Sequence, residues 1–143
     1  MLPWRVTLMK LNAYLNFGGN CRQAFEYYEQ HLGAKIVMSM TFNQSPDQSN
    51  VPPGAGDQIL YANLSIADTQ IMGSDTPNYE PIRSSYLTLS MPEAEVFDKS
   101  WKALTEGGEI LMPRNETFFA YEFGILRDKF NVLWMLIREK PMQ

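Results

Sequence analysis

Residues 11–33 read LNAYLNFGGNCRQAFEYYEQHLG, and the order of their parts decides the fold. Ala13, Leu15 and Phe17 alternate with Asn12, Tyr14 and Asn16, the two-residue period of a strand with one covered face. Gly18-Gly19 breaks that strand. Asn20 stands where a helix N-cap belongs, with Gln23 three residues on as its capping-box partner. Cys21, Ala24, Phe25, Tyr28 and Leu32 then fall on one apolar stripe at helical spacing, and Gly33 ends the helix as a left-handed C-cap. Strands are predicted over 35–42, 58–66 and 69–74, with Ala67-Asp68 at the turn between the last two.

The same order returns in the second half. Ser85-Tyr86-Leu87-Thr88-Leu89 echoes Ala13-Tyr14-Leu15-Asn16-Phe17, which places Tyr86 opposite Tyr14. Ser90-Met91-Pro92-Glu93 reads as a second capping box with proline in the first turn. Phe97, Trp101 and Leu104 form the stripe of a second helix, stopped by Gly107-Gly108. Glu109-Ile110-Leu111 echoes Lys35-Ile36-Val37, and strands over 119–126 and 132–138 join through Asp128-Lys129-Phe130-Asn131. Each half therefore reads strand, helix, strand, strand, strand. The expected fold is α+β: two βαβββ modules, about 11–77 and about 83–138, forming a cup-shaped mixed sheet with the helices on its convex side and a cavity within. Residues 11–143 are expected as a single domain. Residues 1–10 carry no periodic pattern and read as an N-terminal extension.

Residues 43–58 interrupt the first module with Ser, Asn, Gln, Gly and three prolines, Pro46, Pro52 and Pro53. That composition argues against regular structure. Two readings follow: a disordered surface loop, or a lid over a pocket.

Composition narrows the function classes. A chain of 143 residues with 45% hydrophobic residues is long enough for one sizeable core. A formal charge of -4 lacks the basic footprint of a nucleic-acid binder. A single cysteine excludes an intrachain disulfide framework and fits a reducing, cytoplasmic setting. No apolar run reaches the roughly 20 residues of a membrane span, and the start MLPWRVTLMK lacks the pattern of a signal peptide. Neither nucleic acid nor membrane is expected as a partner.

The run Tyr14 to Tyr28, YLNFGGNCRQAFEYY, followed by Leu32-Gly33-Ala34, resembles the opening of the PhnB-like proteins. Met72-Gly73-Ser74-Asp75, Met112-Pro113, residues 116–120 (ETFFA), Phe123-Gly124 and residues 128–135 (DKFNVLWM) resemble that branch's later landmarks. These proteins belong to the vicinal oxygen chelate superfamily, with glyoxalase I, bleomycin-resistance proteins, fosfomycin-resistance enzymes and extradiol dioxygenases. The resemblance spans about Leu11 to Arg138. It implies paired βαβββ modules, a cavity, and often a homodimer.

The superfamily's enzymes hold a divalent ion on the first and last strands of each module. In strand order those positions fall near Asn12 or Tyr14, near Met72, at Tyr86 and at Met135, and none is His, Asp or Glu. Amide, phenol and thioether groups are poor ligands for Zn²⁺, Ni²⁺ or Mn²⁺. The expectation is therefore no cofactor, with a divalent metal as the alternative. His31, the only histidine, sits off the apolar stripe and reads as a surface residue beside the helix C-terminus. Asp75, Glu116 and Glu122 are the carboxylates available as a general base; Asp75 and Asp128 also read as turn residues, and Glu122 as a solvent-facing strand residue. Cys21 lies on the apolar stripe and reads as a buried structural thiol. No phosphate loop or GxGxxG is present. PhnB-like proteins sometimes carry a demethylubiquinone-methyltransferase-like label, but the glycine-rich turn of the common methyl-donor fold is missing.

Aromatic residues recur on or beside the predicted strands. Two readings stand: they line a cavity, or they fill it as core. Under the first, the ligand-binding candidates are Asn12, Tyr14, Tyr61, Tyr86, Glu116, Phe118, Tyr121 and Trp134. The expected function is a small-molecule-binding protein of the glyoxalase/bleomycin-resistance type with a degenerate metal site, working as a homodimer. The alternatives are a metal-dependent lyase or dioxygenase with a non-standard site, and a structural dimerisation module with a vestigial cavity.

Overall fold

The computed structural model describes residues 9–141. The chain divides between Tyr79 and Glu80 into two compact units, each a βαβββ module. The first contains β1 (Ala13–Phe17), α1 (Cys21–Leu32), β2 (Lys35–Thr41), β3 (Ile59–Ile66) and β4 (Thr69–Asp75). The second contains β5 (Leu87–Ser90), α2 (Ala94–Thr105), β6 (Glu109–Asn115), β7 (Ala120–Arg127) and β8 (Leu133–Glu139). The sheets run β1-β4-β3-β2 and β5-β8-β7-β6. In each, the first and last strands of the module pair in parallel and the other pairs are antiparallel. This is the α+β, mixed-sheet architecture expected from the duplicated pattern. Of the expected extension, residues 1–8 lie outside the described residues.

Each helix covers one face of its own sheet. Cys21, Ala24, Phe25 and Tyr28 of α1 are buried, as are Leu15, Phe17, Ala62, Leu64 and Ile71 on the sheet face of the same parity. Phe17 meets Phe25 edge to face at 5.9 Å. Gly73 lets the helix down onto β4: a Cβ there would stand 2.8 Å from Phe25 Cζ. In the second unit α2 buries Phe97, Trp101 and Leu104, and Leu126, Trp134 and Leu136 are buried on the strands it packs against. Gly124 leaves room for the Trp101 ring.

Neither predicted capping box forms. The Asn20 side chain makes no cap bond, and α1 is capped from far away: Asp75 Oδ1 accepts the N–H groups of Gly19 (2.9 Å) and Cys21 (3.0 Å). In the second unit the chain stays paired with β8 through Met91, whose N–H reaches Ile137 O at 3.0 Å. That pairing holds Ser90 to Pro92 out of the helix, which begins at Ala94 with Glu93 as N-cap and no side-chain cap. Gly33 does close α1 in the left-handed conformation, at φ 67°.

The 43–58 segment is tied down. Thr41 and Gln44 form a capping box on a 3₁₀ turn, Phe42–Gln44. Phe42 N–H reaches Gln58 O (3.1 Å), and Asn43 N–H reaches Gly56 O (2.9 Å). Gln48 Nε2 donates to the carbonyls of Ser45 and Phe42 at 2.7 and 3.0 Å. Phe42 and Ala55 are buried. Its polar residues thus serve local hydrogen bonds rather than disorder. Among the described residues no helix is long and apolar enough to cross a membrane.

Candidate functional site

With one face of each sheet under its helix, the chemistry of the other face follows from register. In the first unit Tyr14 pairs with Met72, Met72 with Asn63, and Asn63 with Met38. These four residues form one row across all four strands on the face away from α1. In the second unit Thr88 pairs with Met135, Met135 with Ile125, and Ile125 with Met112. Both rows end beside a register irregularity, between Ile36 and Met38 in one and between Ile110 and Met112 in the other. The shared irregularity fixes the equivalence: Met38 with Met112, Asn63 with Ile125, Met72 with Met135, and Tyr14 with Thr88. The sequence echo that set Tyr86 opposite Tyr14 is therefore two residues out of step. Tyr86 precedes β5 and is 39% exposed.

Methionine occupies the second and fourth places of both rows. Thioethers are polarisable, and their three rotatable bonds let them fit ligands of varied outline. The rows differ at the third place. Ile125 is apolar, whereas Asn63 donates Nδ2–H to Gln70 Oε1 (3.1 Å) and leaves Oδ1 buried without a partner. A shielded acceptor with no hydrogen bond costs about 1–3 kcal/mol. Nothing in the sequence pattern marked Asn63 beyond its position between Ala62 and Leu64, which assigns it to the uncovered face.

The remaining candidates fall in several places. Tyr14 is 49% exposed, and Asn12 lies just ahead of β1. Tyr61 pairs with Met40. Its parity puts it on the same face as Asn63, so the fold gathers Tyr14 and Tyr61 on that face. Glu116 is exposed and forms an ion pair with Lys140 at 2.7 Å. The same Lys140 and Arg138 lie over the Tyr121 ring at 5.8 and 5.0 Å. Phe118 is 91% exposed and meets Phe119 edge to face. Trp134 requires a correction. It is 1% exposed, pairs with Leu126 on the helix-covered face, and donates its indole N–H to Asp128 Oδ2 at 2.9 Å. It is core, not wall, because the parity of β8 places Met135 on the uncovered face instead.

The acids are committed to structure. Both Asp75 oxygens are engaged: Oδ1 by Gly19 and Cys21, and Oδ2 by the Ile59 N–H at 2.8 Å. Asp128 takes the N–H groups of Phe130 (2.9 Å) and Val132 (3.0 Å) besides the indole of Trp134. Glu122, read as a general base or a solvent-facing strand residue, is part-buried and bridges Arg114 and Arg138, and Arg114 also pairs with Asp98. Cys21 is buried, and burial followed by the Asp75 charge pushes its thiol up to about 12, so it is no nucleophile at neutral pH. His31 lies against the Tyr27 ring, centroids 4.2 Å apart and planes tilted by 44°, in the last turn of α1.

A divalent ion does not fit what the uncovered faces offer. Tyr14, Met72 and Met135, where the family resemblance led ligands to be expected, offer phenol and thioether groups, which are poor donors for such an ion. Among the described residues no group of three or more His, Cys, Asp or Glu could hold a metal. A separate open pocket of about 350 Å³ lies within the first unit, lined among others by Phe42, Pro53, Gln58, Asp75, Thr76 and Tyr79. It contains none of the aromatic candidates.

Comparison with known proteins agrees with this architecture. The family model described as 3-demethylubiquinone-9 3-methyltransferase matches residues 9–137. Protein YjdN of Escherichia coli K12 is 35% identical, covering 94% of this chain and 100% of its own. The crystal structure of PA1353 from Pseudomonas aeruginosa superposes with a TM-score of 0.82 at 36% identity, over 90% of this chain and 96% of that one. A protein from Bacillus cereus described as a putative 3-demethylubiquinone-9 3-methyltransferase, PhnB, superposes with a TM-score of 0.77 at 24% identity, over 90% and 98%.

Proposed function

Because the chain belongs to the PhnB-like family of that model, within the vicinal oxygen chelate superfamily, we propose that it is a small-molecule-binding protein whose metal site is degenerate. The observation that carries this reading is the row Tyr14–Met72–Asn63–Met38. It offers aromatic and thioether surface with one amide, and no imidazole or carboxylate. Such a surface suits a flat, largely apolar molecule with a few polar groups, held by contact area and oriented by hydrogen bonds. Tyr61, Met40 and the second row, Thr88–Met135–Ile125–Met112, extend the same chemistry. Glyoxalase-like metal chemistry is not part of the proposal, since no step can be routed through an ion that the donors do not fit. Methyl transfer is not part of it either. The helix start after Gly18-Gly19, where an anionic cofactor group would dock, already holds the Asp75 carboxylate.

The proposal includes self-association. Edge strand β6 exposes Ile110, Leu111 and Met112, an apolar row that a second copy would cover. Sedimentation equilibrium checks that part by itself.

The ligand-binding reading is tested by titrating a library of aromatic fragments while following the amide and methionine methyl resonances. Saturable shifts at Met38, Met72, Met112 and Met135 are expected. No saturable binder, or binders confined to residues far from both rows, overturns it. Elemental analysis of protein purified without chelator tests the metal half: a stoichiometric divalent ion bound by oxygen or nitrogen donors of this chain overturns the degenerate site.

A further inference from the structure

Resting on that ligand-binding reading, we infer that Asn63 is the specificity-determining residue of the first unit's uncovered face, and that it selects molecules presenting an O–H or N–H donor on an aromatic or apolar body. Three observations carry this. Asn63 stands at the third place of a row whose neighbours on both sides are thioethers, so no adjacent protein group in the row can donate to it. Its Nδ2 is spoken for by Gln70 Oε1, which fixes the plane of the carboxamide. Its Oδ1 is shielded from solvent and has no hydrogen-bond partner. The duplicated counterpart of Asn63 is Ile125, so the fold accepts an apolar side chain at this place. The amide is thus not needed to build the sheet.

An acceptor kept dry and unpaired between flexible side chains is complementary to a ligand's donor. Met38 is 42% exposed and can swing aside without backbone movement. A ligand hydroxyl or amine that reaches Oδ1 supplies the hydrogen bond that no protein group gives it. A ligand of the same shape without the donor leaves the acceptor as it was. Discrimination therefore comes from the presence of the donor and not from ligand size.

The test compares 2-naphthol with 2-methoxynaphthalene, two probes of nearly equal aromatic area of which only the first has a hydrogen to give. Binding is read by isothermal titration calorimetry. The wild-type protein is expected to bind 2-naphthol roughly three- to tenfold more tightly, the range of one neutral hydrogen bond. Asn63→Leu removes the preference by weakening 2-naphthol alone. Asn63→Asp keeps an acceptor at the same atom and keeps the preference. Thermal melting of Asn63→Leu is expected near the wild-type temperature, because the lost Nδ2 bond to Gln70 is exposed and the lost oxygen has no partner. Equal affinities in the wild type, a preference that survives Asn63→Leu, or tighter binding of the methoxy compound each overturn the assignment of Asn63 while leaving the ligand-binding reading in place. Failure of both probes and of the fragment library to bind overturns both.

Discussion

The carboxylate of Asp75 receives the backbone N–H of Cys21 at 3.0 Å, although 54 residues separate them in the chain. With Gly19 and Ile59 also bonded, one side chain fastens the strand–helix turn, the start of α1 and the start of β3. A negative charge at a helix N-terminus is further favoured by the helix dipole. Asp75→Asn keeps a single acceptor oxygen and loses the charge. It is expected to lower the unfolding free energy by about 2–3 kcal/mol, seen as a lower urea midpoint with an unchanged slope.

Cys21 makes stability fall in alkali. In the unfolded chain its thiol ionises near 9, and in the folded protein at about 12. Below pH 9 both states keep the proton and the group adds no pH dependence. Between those values the unfolded chain alone releases it, so stability is lost as pH rises, by up to about 1.4 kcal/mol per pH unit. Cys21→Ala is expected to show a shallower decline over the same window. Parallel declines in the two proteins would contradict the assignment. At pH 8 the thiol should resist disulfide reagents until the protein is unfolded.

Gly124 is held by space. A Cβ there would overlap the Trp101 ring of α2. Gly124→Ala is expected to cost about 1–3 kcal/mol by overpacking. Most of that loss should return in the double variant Gly124→Ala/Trp101→Leu relative to Trp101→Leu alone. A loss that stays the same in both backgrounds would place the strain in the backbone instead.

Trp134 separates stability from binding. Trp134→Phe removes the indole N–H from Asp128 and leaves a buried carboxylate oxygen short of that donor, at a cost of about 1–3 kcal/mol. Its ring lies on the helix-covered face, so fragment affinity for the uncovered faces should stay within about twofold, too small a change to signal a lost hydrogen bond. A loss of binding larger than the loss of stability explains would return Trp134 to the ligand wall.

Both helices and the order of all eight strands were legible from alternation, helical stripes and glycine punctuation, because those signals are local. Four features were not. The sequence offers Asn20, the nearest capable side chain, as the cap of α1, whereas Asp75 arrives through β4, a relationship that exists only after the sheet has formed. The sequence echo places the equivalence of the two halves at Tyr14 and Tyr86. The register irregularities in β2 and β6 fix it instead at Tyr14 and Thr88, and an irregularity of pairing leaves no mark in one strand's composition. As one aromatic among many Trp134 reads as wall, while strand parity and the donor needs of the Asp128 turn put it inside. The face on which Tyr14 lies follows from the period of its strand, whereas Tyr61 reads only as an aromatic on a predicted strand. Asn63 carries no signal in the sequence, because polarity on an uncovered face is ordinary and only the three-dimensional geometry reveals its unpartnered oxygen.

The paired rungs Phe42–Gln58 and Asn43–Gly56 close the neck of the long segment in the first module. Beyond that neck Gln48 and Ala55 are tied back against the unit, and only the tip between them stands clear. Adding or deleting residues around Ser49 and Asn50, both exposed, changes the closure entropy by only a fraction of a kcal/mol, about 0.6 for each doubling. Here evolution, or a protein engineer, has a free parameter: a graft can be threaded between Gln48 and Val51 while β2 and β3 keep their partners.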